Sequence, residues 1–197
     1  MLLLNALIGT LIAGMTTAAP FPTVAVTNAS LAVVRPPLVE PSVPSRDWKS
    51  IVLHHSATTG GNVASIDRVH RQQKDSAGKL WLGIGYHFVV GNGQSMGDGE
   101  IQPTFRWLEQ LPGAHAGQQP LNQSGIGICL IGNFDEVAPT AKQVAAVRGL
   151  MGALAERYAI PRERMLRHLD VQATLCPGRL FPWDQLLADL SREPKGS

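Results

Sequence analysis

Charge, aromatic side chains and cysteine are all scarce in this sequence. Charged residues make up 16% of the 197 residues and aromatic residues 6%, and there are only two cysteines. The formal net charge is +2, and the basic residues are scattered along the chain. Because a nucleic-acid interface needs a concentrated basic surface, nucleic acid is not an expected partner. The 44% hydrophobic content is enough for one globular domain with a substantial core.

The two cysteines are too few for the disulfide framework on which small secreted scaffolds depend, and a domain of this length does not need one. Cys129 lies in an apolar run and is typical of a small core residue. From the residues alone, Cys176 has three open interpretations. It is an inert buried thiol, the partner of Cys129 in a disulfide, or a metal ligand.

The N-terminal segment differs in composition from the rest of the chain. Residues 1–19 are apolar and small and end in Thr17-Ala18-Ala19, which predicts a signal peptide for export to the periplasm, the cell wall or the medium. No Lys or Arg precedes the apolar run, so a misplaced start codon or a short membrane anchor is an alternative. A stable membrane span is not expected, because glycine and polar residues interrupt a run already near the minimum length.

The remaining chain divides into three parts. Residues 20–47 are rich in proline and β-branched residues, which indicates an extended linker or an arm lying along the domain. The folded domain is predicted at residues 48–192, followed by a short tail at residues 193–197. We expect the protein to be a monomer.

Within the domain, hydrophobic periodicity predicts the element order β, α, β, β, β, α, β, α. Asn92-Gly93 predicts a hairpin turn, and Thr140 with Gln143 forms a capping box at the start of a helix. The predicted strands are residues 50–54, 83–93, about 94–102, 125–132 and 165–167. The predicted helices are residues 63–75, 140–158 and 182–190. This order indicates an α/β domain with a central mixed β-sheet flanked by helices.

Two separated stretches carry candidate chemistry. His54 and His55 end the first predicted strand, and His168 follows the last one, eight residues before Cys176. Two imidazoles and one thiolate can hold a zinc ion on three sides and leave a fourth position for water. Adjacent strand residues face opposite ways, so His54 and His55 cannot both point into one site. Each histidine alone is more often a core or surface residue than a ligand, and His70, beside Arg71 and Lys74, is expected to be solvated.

Five motifs occur in the order seen in one family, from about Ser50 to Trp183. They are His54-x-Ser-Ala-Thr, Gly85-Tyr86-His87-Phe88, Gly113-Ala114-His115, Asn122-x-x-Gly-Ile-Gly-Ile128 with Gly132-Asn133-Phe134, and His168-x-Asp-Val-Gln-x-Thr-x-Cys176-Pro177-Gly178. The chain thus resembles the zinc-dependent N-acetylmuramoyl-L-alanine amidases, which include phage amidase-type lysozymes and peptidoglycan recognition proteins. This resemblance implies the amidase fold and a Zn²⁺ site with His54, His168 and Cys176 as ligands.

The resemblance also implies a reaction and roles for further residues. The reaction is hydrolysis, by a zinc-activated water, of the amide that joins N-acetylmuramic acid to L-alanine of the peptidoglycan stem peptide. Tyr86 matches the active-site tyrosine of the family, which orients the water or stabilises the developing oxyanion. His115 and Asn122 match groove positions and are expected to contact the substrate. His87 alternates with Tyr86 along its strand and is expected to be structural.

One departure from the phage-type pattern concerns Thr174. Phage-type enzymes carry a lysine two residues before the cysteine ligand, whereas the threonine here resembles the recognition-protein branch. Its hydroxyl would replace an ammonium as a catalytic donor. The alternative function is therefore a peptidoglycan-binding recognition module without catalysis, although Cys176, which the non-cutting members typically lack, favours an enzyme. A weaker alternative is a zinc peptidase that cuts within the stem peptide.

Overall fold

The computed structural model describes residues 38–75 and 77–192. The predicted signal peptide at residues 1–19, most of the predicted arm and the predicted tail lie outside the described residues. The strands are β1 (Ser50–His55), β2 (Phe88–Val90), β3 (Ile101–Pro103), β4 (Gly125–Leu130) and β5 (Met165–Arg167). The α-helices are α1 (Val63–His70), α2 (Phe105–Leu108), α3 (Gln119–Ser124), α4 (Ala141–Tyr158) and α5 (Trp183–Arg192). Two 3-10 turns lie at Arg162–Arg164 and His168–Asp170.

The five strands form one mixed sheet in the order β3-β2-β4-β1-β5. Strand β1 pairs in parallel with both β4 and β5, and β2 pairs in parallel with β4. Only β3 is antiparallel, because it returns from β2 through a hairpin. The predicted α/β class with a mixed sheet is therefore confirmed. The parallel strands also bring the carboxyl ends of β1, β4 and β5 to the same edge of the sheet.

The main core lies between one face of the sheet and helices α4 and α5. Because side chains alternate along a strand, β1 sends Ile51 and Leu53 into this core, and β4 adds its own alternate residues. The core-facing side chains of the helices are Val147, Leu150, Met151, Leu154 and Leu186. Helix α4 begins at the predicted capping box. The side chains of Thr140 and Gln143 each accept a hydrogen bond from the backbone N–H of the other residue. No helix in the described residues is both long and apolar enough to cross a membrane.

The other face of the sheet carries smaller side chains and the imidazole of His54. Val52 and His54 of β1 point to this face, and the register places His54 beside Cys129 of β4. A smaller apolar cluster of Ile84, Val89, Met96 and Ile131 covers part of the face, with α1 packed against it through Val63 and Ile66. His54 therefore lies on the face of the sheet opposite the main core.

Several predicted elements differ from the observed ones. The strand predicted at residues 83–93 is reduced to β2, because its first part bonds to side chains instead of a neighbouring strand. Gly85 N–H donates to His70 Nδ1 at 2.9 Å, and the Ile84 carbonyl accepts from Arg106 Nε. Helix α1 ends at His70 and not at residue 75, since Asp75 closes a tight turn by accepting from the Lys79 backbone. Helices α2 and α3 were not predicted and are too short to show a helical period.

Residues 38–47 run along the surface of the domain. Ser42 N–H donates to the Leu108 carbonyl at 2.7 Å, and Trp107 Nε1 donates to the Val39 carbonyl at 2.7 Å. Arg157 of α4 binds the Glu40 carboxylate through two nitrogens at 2.7 and 2.8 Å. These contacts attach the described part of the proline-rich segment to the helices on the main core side of the sheet.

Shortening Leu150 to alanine should destabilise the fold. Its side chain is 1% exposed in the core between α4 and the sheet, so Leu150→Ala should lower the free energy of unfolding by about 2–5 kcal/mol. Val137→Ala is the matched control, because Val137 is 71% exposed and its loss should change stability by less than about 0.5 kcal/mol. Urea unfolding measures both variants. Equal midpoints for the two would contradict this account of the core.

Candidate functional site

The candidate site lies where the carboxyl ends of the parallel strands meet. His54 is at the end of β1, His168 directly follows β5, and Cys176 comes from the loop after it. One potential ligand atom from each of the three lies within 4.8 Å of the others. The Leu169 N–H donates to the Cys176 carbonyl at 2.8 Å and so holds this loop against the turn that carries His168. Strands separated by more than a hundred residues thus bring the three predicted ligands together.

His54 is fully buried in the middle of the sheet. Its Nε2 lies 3.1 Å from His115 Nδ1, while its Nδ1 faces Cys176 Sγ at 3.8 Å. The ring centroid of His168 is 4.4 Å away. Burial is the main reason that the pKa of His54 falls well below its usual value, because the interior disfavours the charged imidazolium. The ring is therefore neutral near pH 7 and can offer a lone pair.

His168 is half-buried and is oriented by a neighbour four residues on. Its Nε2 lies 2.9 Å from the Gln172 side-chain oxygen, which can only accept. The proton of a neutral His168 is thus on Nε2, and Nδ1 keeps its lone pair. Burial also lowers the pKa of this histidine. Gln172 was not identified as a functional residue from the sequence, although the spacing of four from His168 was a usable signal.

Cys176 supplies the third candidate ligand atom. The His55 backbone N–H donates to Cys176 Sγ at 3.3 Å, and the Cys176 N–H donates to Thr174 Oγ1 at 3.2 Å. Burial raises the pKa of the thiol to about 12. Cys176 and Cys129 are both free thiols, so the disulfide considered for them is not formed.

The adjacent histidines face opposite ways, as the strand alternation predicts. His55 points to the other side of β1, where Nδ1 accepts from the Phe134 N–H at 3.1 Å. Its ring packs against the Phe134 ring. His87 is also structural: Nδ1 accepts from the Gly127 N–H at 2.9 Å, and Nε2 donates to the Leu111 carbonyl at 3.1 Å.

Tyr86 is half-buried beside His54, with the two ring centroids 5.0 Å apart. Burial raises the pKa of its phenol well above the usual value, so the hydroxyl stays protonated and can donate. Tyr86 also forms one wall of a groove of about 220 Å³. The other lining residues are Ser56, Thr58, Gly60, Ser65, Ile66, Val69 and His70.

The prediction that His70 is solvated was wrong. Its ring is half-buried, with Trp81 edge-on at 5.3 Å and Tyr86 at 5.4 Å between centroids. The charged neighbours in the sequence suggested an exposed position, but His70 is at the end of α1, and Nδ1 accepts from the Gly85 backbone in the fold. Only the tertiary structure places it in the groove wall.

The two residues predicted to contact substrate have partners within the protein. His115 is only 7% exposed, and its Nε2 lies 3.2 Å from the Gly125 carbonyl, opposite the contact with His54. Asn122 is half-buried, and its side-chain oxygen accepts from the backbone N–H groups of His115 and Ala116, both at 2.9 Å. Asn122 therefore holds the loop that carries His115.

Comparisons with known proteins identify the family of this chain. A family described as N-acetylmuramoyl-L-alanine amidase matches residues 44–179. Peptidoglycan-recognition protein SC2 of Drosophila melanogaster is 32% identical over 141 residues, covering 68% of this chain and 70% of that protein. The endolysin of Enterobacteria phage K11 is 26% identical over 137 residues, covering 67% of this chain and 82% of the endolysin.

A solved structure supports the same assignment. The endolysin N-acetylmuramoyl-L-alanine amidase LysCS of Clostridium intestinale superposes with a TM-score of 0.61 at 31% identity, covering 79% of this chain and 93% of that one. The family match extends over more than half of the chain, and both phage and animal relatives align with the described domain. The chain therefore belongs to the N-acetylmuramoyl-L-alanine amidase family.

Proposed function

We propose that this protein is a zinc-dependent hydrolase that cleaves the amide between N-acetylmuramic acid and L-alanine of the stem peptide. The observation that carries the proposal is the convergence of His54, His168 and Cys176 within 4.8 Å. The family match and the solved structure of the Clostridium intestinale N-acetylmuramoyl-L-alanine amidase support the same reaction. The folded unit is proposed to be residues 48–192, acting as an exported monomer on peptidoglycan or its fragments.

The three side chains fit a zinc ion by their chemistry. Hydrogen bonds to Nε2 leave the Nδ1 lone pairs of both histidines available, and Cys176 offers a sulfur. Two imidazoles and a thiolate with one open position are typical of catalytic zinc. Without a cation, burial holds the Cys176 thiol protonated, with a pKa of about 12, so a divalent metal would supply the charge that a buried thiolate needs.

The residues around this centre have distinct tasks. When bound, zinc would supply a Lewis acid and lower the pKa of water towards neutrality. Tyr86 keeps its phenolic proton because burial raises its pKa, and it donates to the carbonyl oxygen as negative charge develops there. Thr174 accepts from the Cys176 N–H, which leaves its own hydroxyl proton free to donate. The groove beside Tyr86 holds the substrate, with polar Ser56 and Thr58 facing the apolar side of α1.

A recognition module without catalysis is the second candidate function. It is favoured by Thr174 in place of the lysine of phage-type enzymes and by the peptidoglycan-recognition relatives. The groove beside Tyr86 could bind a wall fragment without any hydrolysis. Product analysis separates this function from the first, since only the enzyme releases a free peptide.

Digestion of purified peptidoglycan by the full chain should release intact stem peptides that begin with L-alanine, and a chelator should abolish the release. Cys176→Ala should release none, because the sulfur ligand is lost. The control Val137→Ala should remain active, since this side chain is 71% exposed and is not among the three converging residues. Mass spectrometry of the products measures each case.

Three outcomes would count against the amidase proposal. Peptides lacking the N-terminal L-alanine would indicate a peptidase. Binding without release would indicate a recognition module. Full activity of Cys176→Ala would exclude the proposed metal centre.

Tyr86→Phe should lower kcat by about 10²–10³, the usual cost of losing one donor to a developing oxyanion. KM should change little, because the phenyl ring still forms the groove wall. Steady-state kinetics on a soluble muropeptide measure both constants. An unchanged kcat would remove Tyr86 from the reaction.

Acid should destabilise the metal-free protein through its buried histidines. An unfolded imidazole titrates near pH 6.5, whereas burial holds the pKa of His115 at about 4 in the folded state. Between these values only the unfolded state takes up the proton, so the free energy of unfolding falls as the pH is lowered. The stability is fully present above about pH 6.5 and is lost on the way to about pH 4, by up to roughly 3 kcal/mol for this residue.

Urea unfolding at several pH values in the presence of a chelator measures this effect. His115→Asn is the comparison, because it cannot titrate and should show a shallower decline. A stability that does not change between pH 7 and pH 5 would contradict the neutral, buried state of these rings.

A further inference from the structure

We propose that His115 is a positioning residue, which fixes His54 in the tautomer that directs an unprotonated Nδ1 towards Cys176. The proposal concerns the centre proposed above and rests on that function. It gives His115 a task other than contact with the substrate. The argument depends on where each proton must lie along a short chain of hydrogen bonds.

The chain begins at a backbone carbonyl. The Gly125 oxygen, 3.2 Å from His115 Nε2, can only accept, so Nε2 carries the proton of the neutral ring. His115 Nδ1 is then unprotonated and accepts from His54 Nε2 at 3.1 Å. With its single proton on Nε2, neutral His54 has a bare Nδ1, which faces Cys176 Sγ at 3.8 Å. Because the Gly125 carbonyl can only accept, the proton of each neutral ring has a single possible position.

Both rings must be neutral for this assignment, and their environment makes them so. His54 is fully buried and His115 is 7% exposed, and in the part of the chain that the structure describes no carboxylate is hydrogen-bonded to either ring. A charged imidazolium without a counter-charge is costly in the protein interior. Near pH 7 the pair therefore carries two protons, one on each Nε2.

The ring of His115 is held in a slot that glycine provides. A Cβ at Gly127 of β4 would lie 2.5 Å from His115 Cδ2, and a Cβ at Gly113 would also collide with the ring. The backbone is fixed as well, since Asn122 accepts from the His115 and Ala116 N–H groups. The ring lies edge-on to His54, with centroids 5.1 Å apart. An imidazole that is fixed in this way can orient the ring next to it.

A direct role on the substrate does not fit these contacts. Both ring nitrogens of His115 are engaged inside the protein, so neither is free to bond a ligand. His168 has an equivalent partner in Gln172. Partners that orient a metal-binding histidine typically change metal affinity by 10–100-fold when they are removed. His115 would thus act through His54.

The matched variants His115→Asn and His115→Leu test the proposal. Asparagine and leucine have nearly the same shape, but only asparagine has an oxygen near the position of Nδ1 that can accept from His54. Zinc affinity is measured by competition with a chromophoric chelator, and cobalt absorption reports the ligand geometry. His115→Leu should bind zinc 10–100-fold more weakly than the parent. His115→Asn should recover most of that loss. Equal losses in both variants, or none in His115→Leu, would overturn the proposal.

A second measurement needs neither a variant nor a metal. Nitrogen-15 chemical shifts of the histidine rings in the metal-free parent protein report which nitrogen carries the proton. We expect protonated Nε2 on both His54 and His115, and a His54 protonated on Nδ1 would overturn the proposal even if His115→Leu failed to fold. A parent that binds zinc but releases no stem peptide would instead refute the amidase function, while the affinity comparison would still decide the role of His115.

Discussion

The parallel pairing of β1 with both β4 and β5 is the constraint on which the candidate centre depends. Because the three strands run in one direction, their carboxyl ends share an edge of the sheet. His54 is still inside β1, where it pairs with Cys129 of β4, and the residue before it, Leu53, pairs with Arg167 of β5. His168 follows immediately after β5, where the chain turns. The separation of these two rings is therefore set by strand spacing and not by a flexible loop.

Burial gives the centre its chemical character. The polar groups at the carboxyl edge are hydrogen-bonded in pairs: His54 with His115, His168 with Gln172, and Cys176 Sγ with the His55 N–H. Such pairing satisfies buried groups that would otherwise be costly. It also leaves two imidazole lone pairs and one sulfur within 4.8 Å of one another. This arrangement is the basis of the proposed zinc site.

Much of the fold could be predicted from the sequence, because long apolar periods carry strong signals. Strand β4 and helix α4, with its Thr140 capping box, were both confirmed close to the expected positions. The first part of the strand predicted at residues 83–93 was wrong. In this segment the Ile84 carbonyl and the Gly85 N–H bond to the side chains of Arg106 and His70, which lie outside any strand. Hydrophobic periodicity gives no indication of such bonds.

The candidate site shows the same division between local and tertiary information. The sequence resemblance pointed to His54, His168 and Cys176, and the structure brings the three together. The groove position of His70 and the enclosed position of His115 could not be predicted, because both depend on segments distant in the chain. The sequence gives the identity of each side chain, but the fold determines which groups accept its hydrogen bonds.

Gly127 is required by the packing of His115, and this requirement limits which residues position 127 can accept. Judged by strand propensity alone, a glycine in the middle of β4 is a weak choice that alanine or valine should improve. In this domain any side chain there would displace the imidazole of His115, and with it the partner of His54. Positions 115 and 127 should therefore co-vary among relatives: a histidine at the first should occur with a glycine at the second. The glycine that is unfavourable for the strand is therefore explained by the space that the His115 ring needs.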